Sequence, residues 1–352
     1  MFLLDSHCDT PSQILRLRDL SVDNTYAHVD FPKLRRGGVD GAFFALYTPA
    51  SLTSSESYIY ASKLLQGVRN VLKFHHDKAR LATSRSQAYE NKDAGLFSIF
   101  LGLENGQALG DSLDRIDEFY EAGVRYITLC HSKNNQICDS CAEGGGWNGL
   151  SKFGKDVVRR MNMLHMLVDV SHISDHSFYD VLETSDKPVV ATHSCCRSLC
   201  NHPRNMTDEM IRNLAQAGGV IQINFYPLFL DNAFKATLAE SGIMDYGERI
   251  ESEFIADPAS PTKREAWNKV QDELQTLSRP SYKLIADHID HVVELVGIDY
   301  VGIGSDYDGI EVTPEGMEDI SKMPLLFEEL RSRGYTESDL SKIASDNFFR
   351  IL

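Results

Sequence analysis

A histidine and an aspartate lie two positions apart near the start of the chain, in the segment LLDSHCDTPS. His7 and Asp9 follow an apolar run that has the pattern of a first β-strand. Because side chains at positions i and i+2 of a strand point to the same face, these two polar groups would lie side by side. They are either half of a metal site or the solvated end of a strand, and other residues must distinguish the two.

Further ionisable residues end other apolar runs in the same way. They are Glu104, His131, His172, His193, and Asp306 with Asp308 two positions later. Each has an ordinary explanation when taken alone, because a single histidine is often only hydrogen-bonded and a single acid often caps a helix. Gathered at one edge, however, the carboxylates would repel one another and lose hydration, and a divalent cation removes that cost.

The residue types in this set suit zinc, which binds imidazole nitrogen and carboxylate oxygen. The candidate ligands are also more numerous than one catalytic zinc ion uses. A carboxylate can bridge two ions, and pairs of metal ions about 3.5–4 Å apart are a known hydrolytic arrangement. The sequence therefore favours a centre with two Zn2+ ions per chain.

The elements that must position these residues are eight short apolar runs with helical patterns between them. The runs cover residues 1–5, 41–48, 96–104, 124–131, 165–172, 187–194, 218–226 and 300–309. Most are continuously apolar, as in parallel strands that are buried on both faces. The alternation predicts an α/β fold, a (β/α)8 TIM-like barrel, in which catalytic groups lie at the carboxyl ends of the strands.

One stretch departs from this alternation. Residues 227–280 are too long for a single crossover and contain charged helical segments. We expect an insertion there over the barrel mouth, within a single catalytic domain that spans residues 1–352. Neither an internal repeat nor a low-complexity linker divides the chain.

Composition excludes several classes of partner. The chain has 35 Lys and Arg against 51 Asp and Glu, so its formal net charge of −16 disfavours nucleic acid and anionic membranes. No apolar stretch approaches the roughly 20 residues of a membrane span, and the start lacks a signal-peptide pattern. We therefore expect a cytoplasmic protein. Cys138 and Cys141 lack the second pair that a zinc ribbon requires, and we interpret most of the seven cysteines as reduced thiols.

Eight segments, spread from the first strand to the last helix, form an ordered set of motifs: DSHCDTP, LGLENG, TLCHSKNNQICDS, GLSKFGKDVVRRMN, VDVSHIS, ATHSCCRSLCNHPRNMTDEMI, GIGSDYDGIEVTPEGMEDISKMP and YTESDLSKIASDNFFRIL. This set resembles the renal (membrane) dipeptidase family of the amidohydrolase superfamily, which implies that the barrel is of the metal-dependent hydrolase type. His-x-Asp alone occurs throughout the superfamily, whereas HPRN after ATHS is specific. Because the family's vertebrate members carry a secretion signal and a lipid-anchor signal that this chain lacks, it is expected to be a bacterial-type soluble member.

The resemblance implies a role for each matched residue. His7 and Asp9 would bind the first zinc ion, His172 and His193 would bind the second, and Glu104 would bridge them. A second group would act on the substrate, and it consists of His131, Arg204 and Asp306. His131 would polarise the scissile carbonyl, and Arg204 would hold the C-terminal carboxylate of a dipeptide. Asp306 would carry the proton, with Asp308 as the alternative by spacing alone.

The implied function is a zinc-dependent dipeptidase that uses a metal-bridging hydroxide and accepts a D-residue at the C-terminal position. Another binuclear amidohydrolase, acting on N-acyl amino acids or lactones, stays open as an alternative. So does a binding or regulatory protein that kept the fold and lost its chemistry. Arg204 could also be a surface arginine paired with Asp208 or Glu209. The expected partner is a small dipeptide, and a homodimer stays open as the assembly.

Overall fold

The central element of the fold is a parallel sheet of nine strands, seen in a computed structural model that describes residues 1–352. The strands are β1 Leu4–Cys8, β2 Gly41–Tyr47, β3 Ala79–Leu81, β4 Phe97–Glu104, β5 Val124–Thr128, β6 Leu167–Asp169, β7 Val190–Ser194, β8 Val220–Ile223 and β9 Val301–Ile303. Eight of them follow one another in the order β1-β2-β4-β5-β6-β7-β8-β9. Backbone hydrogen bonds from Asp306 N to His7 O (3.0 Å) and from Asp9 N to Tyr307 O (2.8 Å) join the first strand to the last. The predicted eight-stranded barrel is confirmed.

Helices connect these strands and surround the barrel. They are α1 Thr10–Leu15, α2 Phe31–Gly37, α3 Ser54–Phe74, α4 Arg85–Asp93, α5 Asp114–Glu121, α6 Lys152–Met163, α7 Asp175–Thr184, α8 Asp208–Gln216, α9 Pro227–Leu230, α10 Phe234–Ser241, α11 Ile243–Ala256, α12 Pro261–Gln275, α13 Lys283–Val296, α14 Met323–Ser332, α15 Glu337–Ser341 and α16 Asn347–Phe349. Several begin at side-chain caps that the sequence indicates, such as Thr207, whose hydroxyl accepts from Met210 N. None of the helices combines the length and the apolar character that crossing a membrane requires.

The ninth strand, β3, was not predicted. It has only three residues and pairs with the start of β4, where Ala79 lies opposite Phe97. The next strand, β5, pairs with β4 only from Leu101 onward. β3 therefore pairs with the part of β4 that β5 does not reach. A run of three residues is too short to be recognised as a strand from the sequence.

Several strands end earlier than the apolar runs suggest. β6 ends three residues before His172, and β9 ends three residues before Asp306. Both residues have left-handed backbone conformations, with φ of 70° and 65°. Such conformations are costly for residues other than glycine and concentrate at functional sites. Here they turn the backbone out of the strand direction at the two residues whose side chains lie at the barrel mouth.

The barrel interior explains why polar groups gather at one end. Its lower part is filled by an apolar cluster that includes Phe43, Phe100, Leu167, Val220 and, from the C-terminal helix, Phe348. The opposite faces of the same strands pack against the surrounding helices. Because both faces of each strand are buried, the sequence reads as largely apolar, and most ionisable side chains of the barrel lie toward the carboxyl ends of the strands.

The segment between β8 and β9 contains α9 to α13, and α10 to α12 build a small apolar cluster together with Val312 from the loop after β9. It consists of Phe234, Leu238, Ile243, Phe254, Trp267, Val270, Leu274 and Val312. Arg16, in the loop after β1, pairs with Glu251 of α11 at 3.0 Å. Tyr26 donates to Asp272 of α12 at 3.1 Å. The connection from β1 to β2, which contains Arg16 and Tyr26, begins at the carboxyl end of β1, and α11 and α12 pack against it.

Candidate metal centre and active site

The carboxylate of Glu104, the last residue of β4, lies at the centre of the polar cluster at the barrel mouth. One oxygen, Oε2, is 3.3 Å from Nε2 of His7. The other, Oε1, is 3.1, 3.6 and 3.8 Å from the Nε2 atoms of His172, His193 and His131. The two oxygens therefore face different groups of histidines, which is the arrangement that a bridging carboxylate requires.

On the His7 side, two further carboxylates complete the cluster. His7 Nε2 is 3.4 Å from Asp9 Oδ2 and 4.0 Å from Asp306 Oδ1. Gly309 allows this close packing, because a Cβ there would lie 2.2 Å from Asp9 Oδ2 and 2.8 Å from Asp306 Oδ1. The structure thus brings all five predicted metal ligands together with His131 and Asp306.

The donor atoms of the cluster fit a cation. His7 Nε2 and Asp9 Oδ1 are buried and make no hydrogen bond within the protein. Burial, with the neighbouring charge of Glu104, raises the pKa of Asp9 to about 6. Burial also raises the pKa of Asp306 to about 7. The pKa values of these two aspartates are raised because three carboxylates lie close together and have lost their hydration. Divalent cations would remove this free-energy cost.

The histidines on the other side of Glu104 are suited to metal binding in their charge state. Burial lowers the pKa of His172 and of His193 well below the usual value, and the nearby cation of Arg204 lowers both further. Their Nε2 atoms converge to 2.8 Å. Neutral imidazole is the form that ligates a metal, so both rings are prepared to donate a lone pair toward the same point.

His131 lies on the open side of the cluster, three residues after the end of β5. Its side chain is 23% exposed, against 0% for His7, 12% for His172 and 1% for His193. Burial lowers its pKa to about 3, so the ring is neutral. Tyr47, at the end of β2, packs against it with ring centroids 4.8 Å apart. Among the four imidazoles, His131 is the most accessible to a bound molecule.

The two aspartates of GSDYDG point in different directions. Asp306 faces His7, and its Oδ2 accepts a hydrogen bond of 2.9 Å from the amide of Asn224. Asp308 accepts instead from Thr10 at 2.8 Å and from Arg18 at 2.5 Å. Asp308 thus anchors the loop after β1, and of the two aspartates only Asp306 lies in the cluster around His7.

Arg204 is buried in the loop after β7, with 8% of its surface exposed. Its Nη2 donates to the carbonyl of His193 at 2.9 Å, and its Nη1 donates to Ser194 Oγ at 3.3 Å. The guanidinium lies 5.2 Å from the ring centroid of Phe229, and Nε has no protein partner. Asp208, the alternative partner considered from the sequence, pairs with His291 at 2.9 Å. Arg204 is therefore a buried cation beside the cluster and not half of a surface ion pair.

Three residues of the site escaped the sequence analysis. Asn224 follows β8 directly, so its position at the carboxyl end of a strand was a usable signal. The sequence analysis considered only ionisable residues at these positions, and an amide is uncharged. Tyr47 likewise ends β2. Phe229 lies in α9, and no pattern in the sequence indicates that its ring would face Arg204.

The cysteines take no part in the cluster. All seven are free thiols. Cys8, between His7 and Asp9, points to the other face of β1, where its Sγ lies 3.8 Å from Ser305 Oγ. Cys141 contributes its backbone, whose N–H donates to the carbonyl of His172 at 2.9 Å. Its neighbour Cys138 is buried in the main apolar core.

Comparison with known proteins identifies the family. The family model described as "Membrane dipeptidase (Peptidase family M19)" matches residues 1–352. The dipeptidase verJ of Clonostachys rogersoniana is 29% identical over 99% of this chain and 83% of its own length.

Solved structures agree with this result. The crystal structure of the probable dipeptidase PvdM from Pseudomonas aeruginosa superposes with a TM-score of 0.85 at 25% identity, covering 100% of this chain and 94% of that one. A metallopeptidase from Rhodobacter sphaeroides, liganded with a phosphinate mimic of the dipeptide L-Ala-D-Ala, shares the fold with a TM-score of 0.82 at 21% identity, covering 100% and 98% of the two chains. The chain therefore belongs to the membrane dipeptidase family, peptidase family M19, and is a metallodipeptidase that hydrolyses peptide bonds.

Proposed function

We propose that this metallodipeptidase is zinc-dependent and binds two Zn2+ ions per chain. His7 and Asp9 would hold one ion, His172 and His193 the other, and Glu104 would bridge them. The observation that carries this proposal is the division of the Glu104 oxygens between His7 on one side and the other histidines on the opposite side. When bound, such ions polarise a carbonyl and lower the pKa of water, which supplies a nucleophile near neutral pH.

Arg204 would select dipeptides by binding the C-terminal carboxylate of the substrate. A guanidinium offers a planar fork of N–H donors that matches a carboxylate, and burial strengthens such contacts. The protein uses one N–H on each terminal nitrogen of Arg204 and leaves Nε without an acceptor. A longer peptide would place its next residue where the guanidinium lies, so the enzyme would reject it.

His131 and Asp306 would act on the scissile bond. The neutral ring of His131 would donate a hydrogen bond to the carbonyl oxygen as negative charge develops there, which is commonly the largest single contribution in acyl transfer. Asp306 would accept a proton and pass it to the leaving amine. The amide of Asn224 would hold Asp306 Oδ2, so that Oδ1 stays directed at the cluster.

The D-residue preference rests on the family resemblance and on the L-Ala-D-Ala mimic bound to the Rhodobacter protein. The test is a panel of L-Xaa-D-Xaa and L-Xaa-L-Xaa dipeptides with zinc-loaded enzyme, beside N-acyl amino acids and lactones. We expect dipeptides to be the best substrates and D-residues to be accepted at the C-terminal position. Better turnover of acyl amino acids or lactones would instead support the alternative amidohydrolase function. Elemental analysis should give two zinc ions per chain.

A further inference from the structure

Behind the metal cluster lies a second, fully buried carboxylate that touches none of the candidate ligand side chains. Asp169, the last residue of β6, is 0% exposed. Its Oδ2 accepts from the hydroxyls of Thr128 (2.6 Å) and Thr192 (2.7 Å). Its Oδ1 accepts from the backbone N–H groups of Ser171 and Thr192, both at 3.0 Å. Asp169 thus joins three adjacent strands directly below the mouth.

One of these hydrogen bonds continues to a candidate zinc ligand. The hydroxyl of Thr192 lies 2.8 Å from Nδ1 of His193. A carboxylate can only accept, and a hydroxyl has a single hydrogen to give. Thr192, which gives its hydrogen to Asp169, therefore presents only lone pairs to His193. The ring must then carry its own hydrogen on Nδ1.

With its hydrogen on Nδ1, the neutral ring of His193 has no hydrogen on Nε2, which is the atom that faces the metal cluster. It lies 3.6 Å from Glu104 Oε1 and 2.8 Å from His172 Nε2. We infer that Asp169 is a positioning residue that sets the tautomer of His193 through Thr192, and so prepares the second zinc site before any metal arrives. The inference rests on the zinc centre of the proposed function. It places a threonine between the carboxylate and the imidazole, where many metal sites use a direct contact.

The same carboxylate also steadies the neighbouring ligand. Ser171 directly precedes His172, its N–H is held by Asp169, and its hydroxyl accepts from the N–H of His193 at 3.2 Å. In the other half of the centre, the buried carboxylate of Asp5 accepts from the backbone N–H of His7 at 3.3 Å, but no hydroxyl links that carboxylate to the ring. There, His7 Nδ1 meets the hydroxyl of Tyr126 at 2.8 Å, and a hydroxyl can either donate or accept. Asp169 therefore acts on the His172 and His193 half alone.

The test measures the tautomer directly in metal-free protein. Histidine labelled with 15N distinguishes a ring hydrogen on Nδ1 from one on Nε2, and the His193 signal is assigned by its loss in His193→Gln. We expect Nδ1–H in the unmutated protein. In Asp169→Asn the new amide can donate to Thr192, which frees the hydroxyl hydrogen for His193 Nδ1, and the ring hydrogen should move to Nε2. Chelator competition should then show one of the two zinc ions bound about 10–100-fold more weakly.

Two further variants make the test specific. Thr192→Val removes the relay but keeps the carboxylate, so it should weaken the same zinc ion even if Asp169→Asn does not fold. Thr128→Val removes a different hydrogen bond to the same oxygen, and it should leave the tautomer and the zinc affinity unchanged. The inference is overturned if His193 carries its hydrogen on Nε2 in the unmutated protein. It is also overturned if Asp169→Asn and Thr192→Val keep normal zinc affinity. Because the tautomer is read without metal or substrate, a protein that hydrolyses no dipeptide refutes the proposed function separately.

Discussion

Replacing Arg204 with alanine separates a carboxylate-binding role from a structural one. Two of the five N–H groups of the guanidinium are used by the protein, at the His193 carbonyl and at Ser194. The others, including the buried Nε–H, have no protein acceptor. If they bind the substrate carboxylate, Arg204→Ala removes a charge-assisted contact worth about 1.5–3 kcal/mol. At about 1.4 kcal/mol per tenfold change, kcat/KM for a free-acid dipeptide should fall about 10- to 100-fold.

The assay compares each dipeptide with its C-terminal amide, which lacks the carboxylate. The unmutated enzyme should prefer the free acid by about the same 10- to 100-fold, and Arg204→Ala should abolish most of that preference. Arg204→Lys keeps the charge but loses the planar fork, so it should lie between the two.

A purely structural role makes a different prediction. The Nη2 of Arg204 supports the backbone of His193, so truncation could disturb the zinc site itself. Activity on free acids and on amides would then fall by the same factor, and zinc content would fall with it. That result, or full activity of the alanine variant on free acids, would refute the assigned role.

Three other predictions follow from the same geometry. Glu104→Ala should lose both zinc ions or hold them weakly, because each ion of the proposed centre would share this carboxylate; retention of two tightly bound ions by elemental analysis would show that it does not bridge. Cys8→Ser should keep its full zinc content, because the thiol faces Ser305; loss of one ion would contradict that placement. Burial lowers the pKa of His288 to about 4, from about 6.5 in an unfolded chain. Below pH 6.5 the unfolded chain therefore binds a proton that the folded protein does not, and the free energy of unfolding should decrease by up to about 3 kcal/mol as the pH falls toward 4. His288→Asn should reduce this decrease in urea titrations, and an unchanged pH slope would contradict the prediction.

The sequence predicted the barrel and its site because both depend on local patterns. Strands buried on both faces give continuous apolar runs, and a polar residue that ends such a run must emerge at the carboxyl end of the barrel. His7, Glu104 and His193 could be placed by this rule without any knowledge of the other strands. Thr207 was likewise identifiable as a helix cap from its residue type and position.

Features that depend on contacts between distant segments could not be predicted in this way. Asp306 and Asp308 lie two residues apart in the segment GSDYDG, and only the partners Thr10 and Arg18 show that Asp308 is turned away from the site. The role of Asp169 is visible only through Thr192 on the next strand. The packing of Phe229 in α9 against Arg204 in the loop after β7 joins two segments whose contact leaves no pattern in the sequence.

The electrostatics of the mouth connect the metal centre to substrate choice. The chain carries a formal net charge of −16, and Asp9, Glu104 and Asp306 crowd further negative charge around His7. Such a site without metal would repel the substrate carboxylate that we propose Arg204 binds. The two divalent cations of the proposed centre would outweigh the three carboxylates, and with Arg204 they would make the mouth locally positive. Since a dipeptide is a zwitterion with no net charge, the acidic surface does not hinder its approach. Zinc loading should therefore be a condition for binding the C-terminal carboxylate as well as for catalysis.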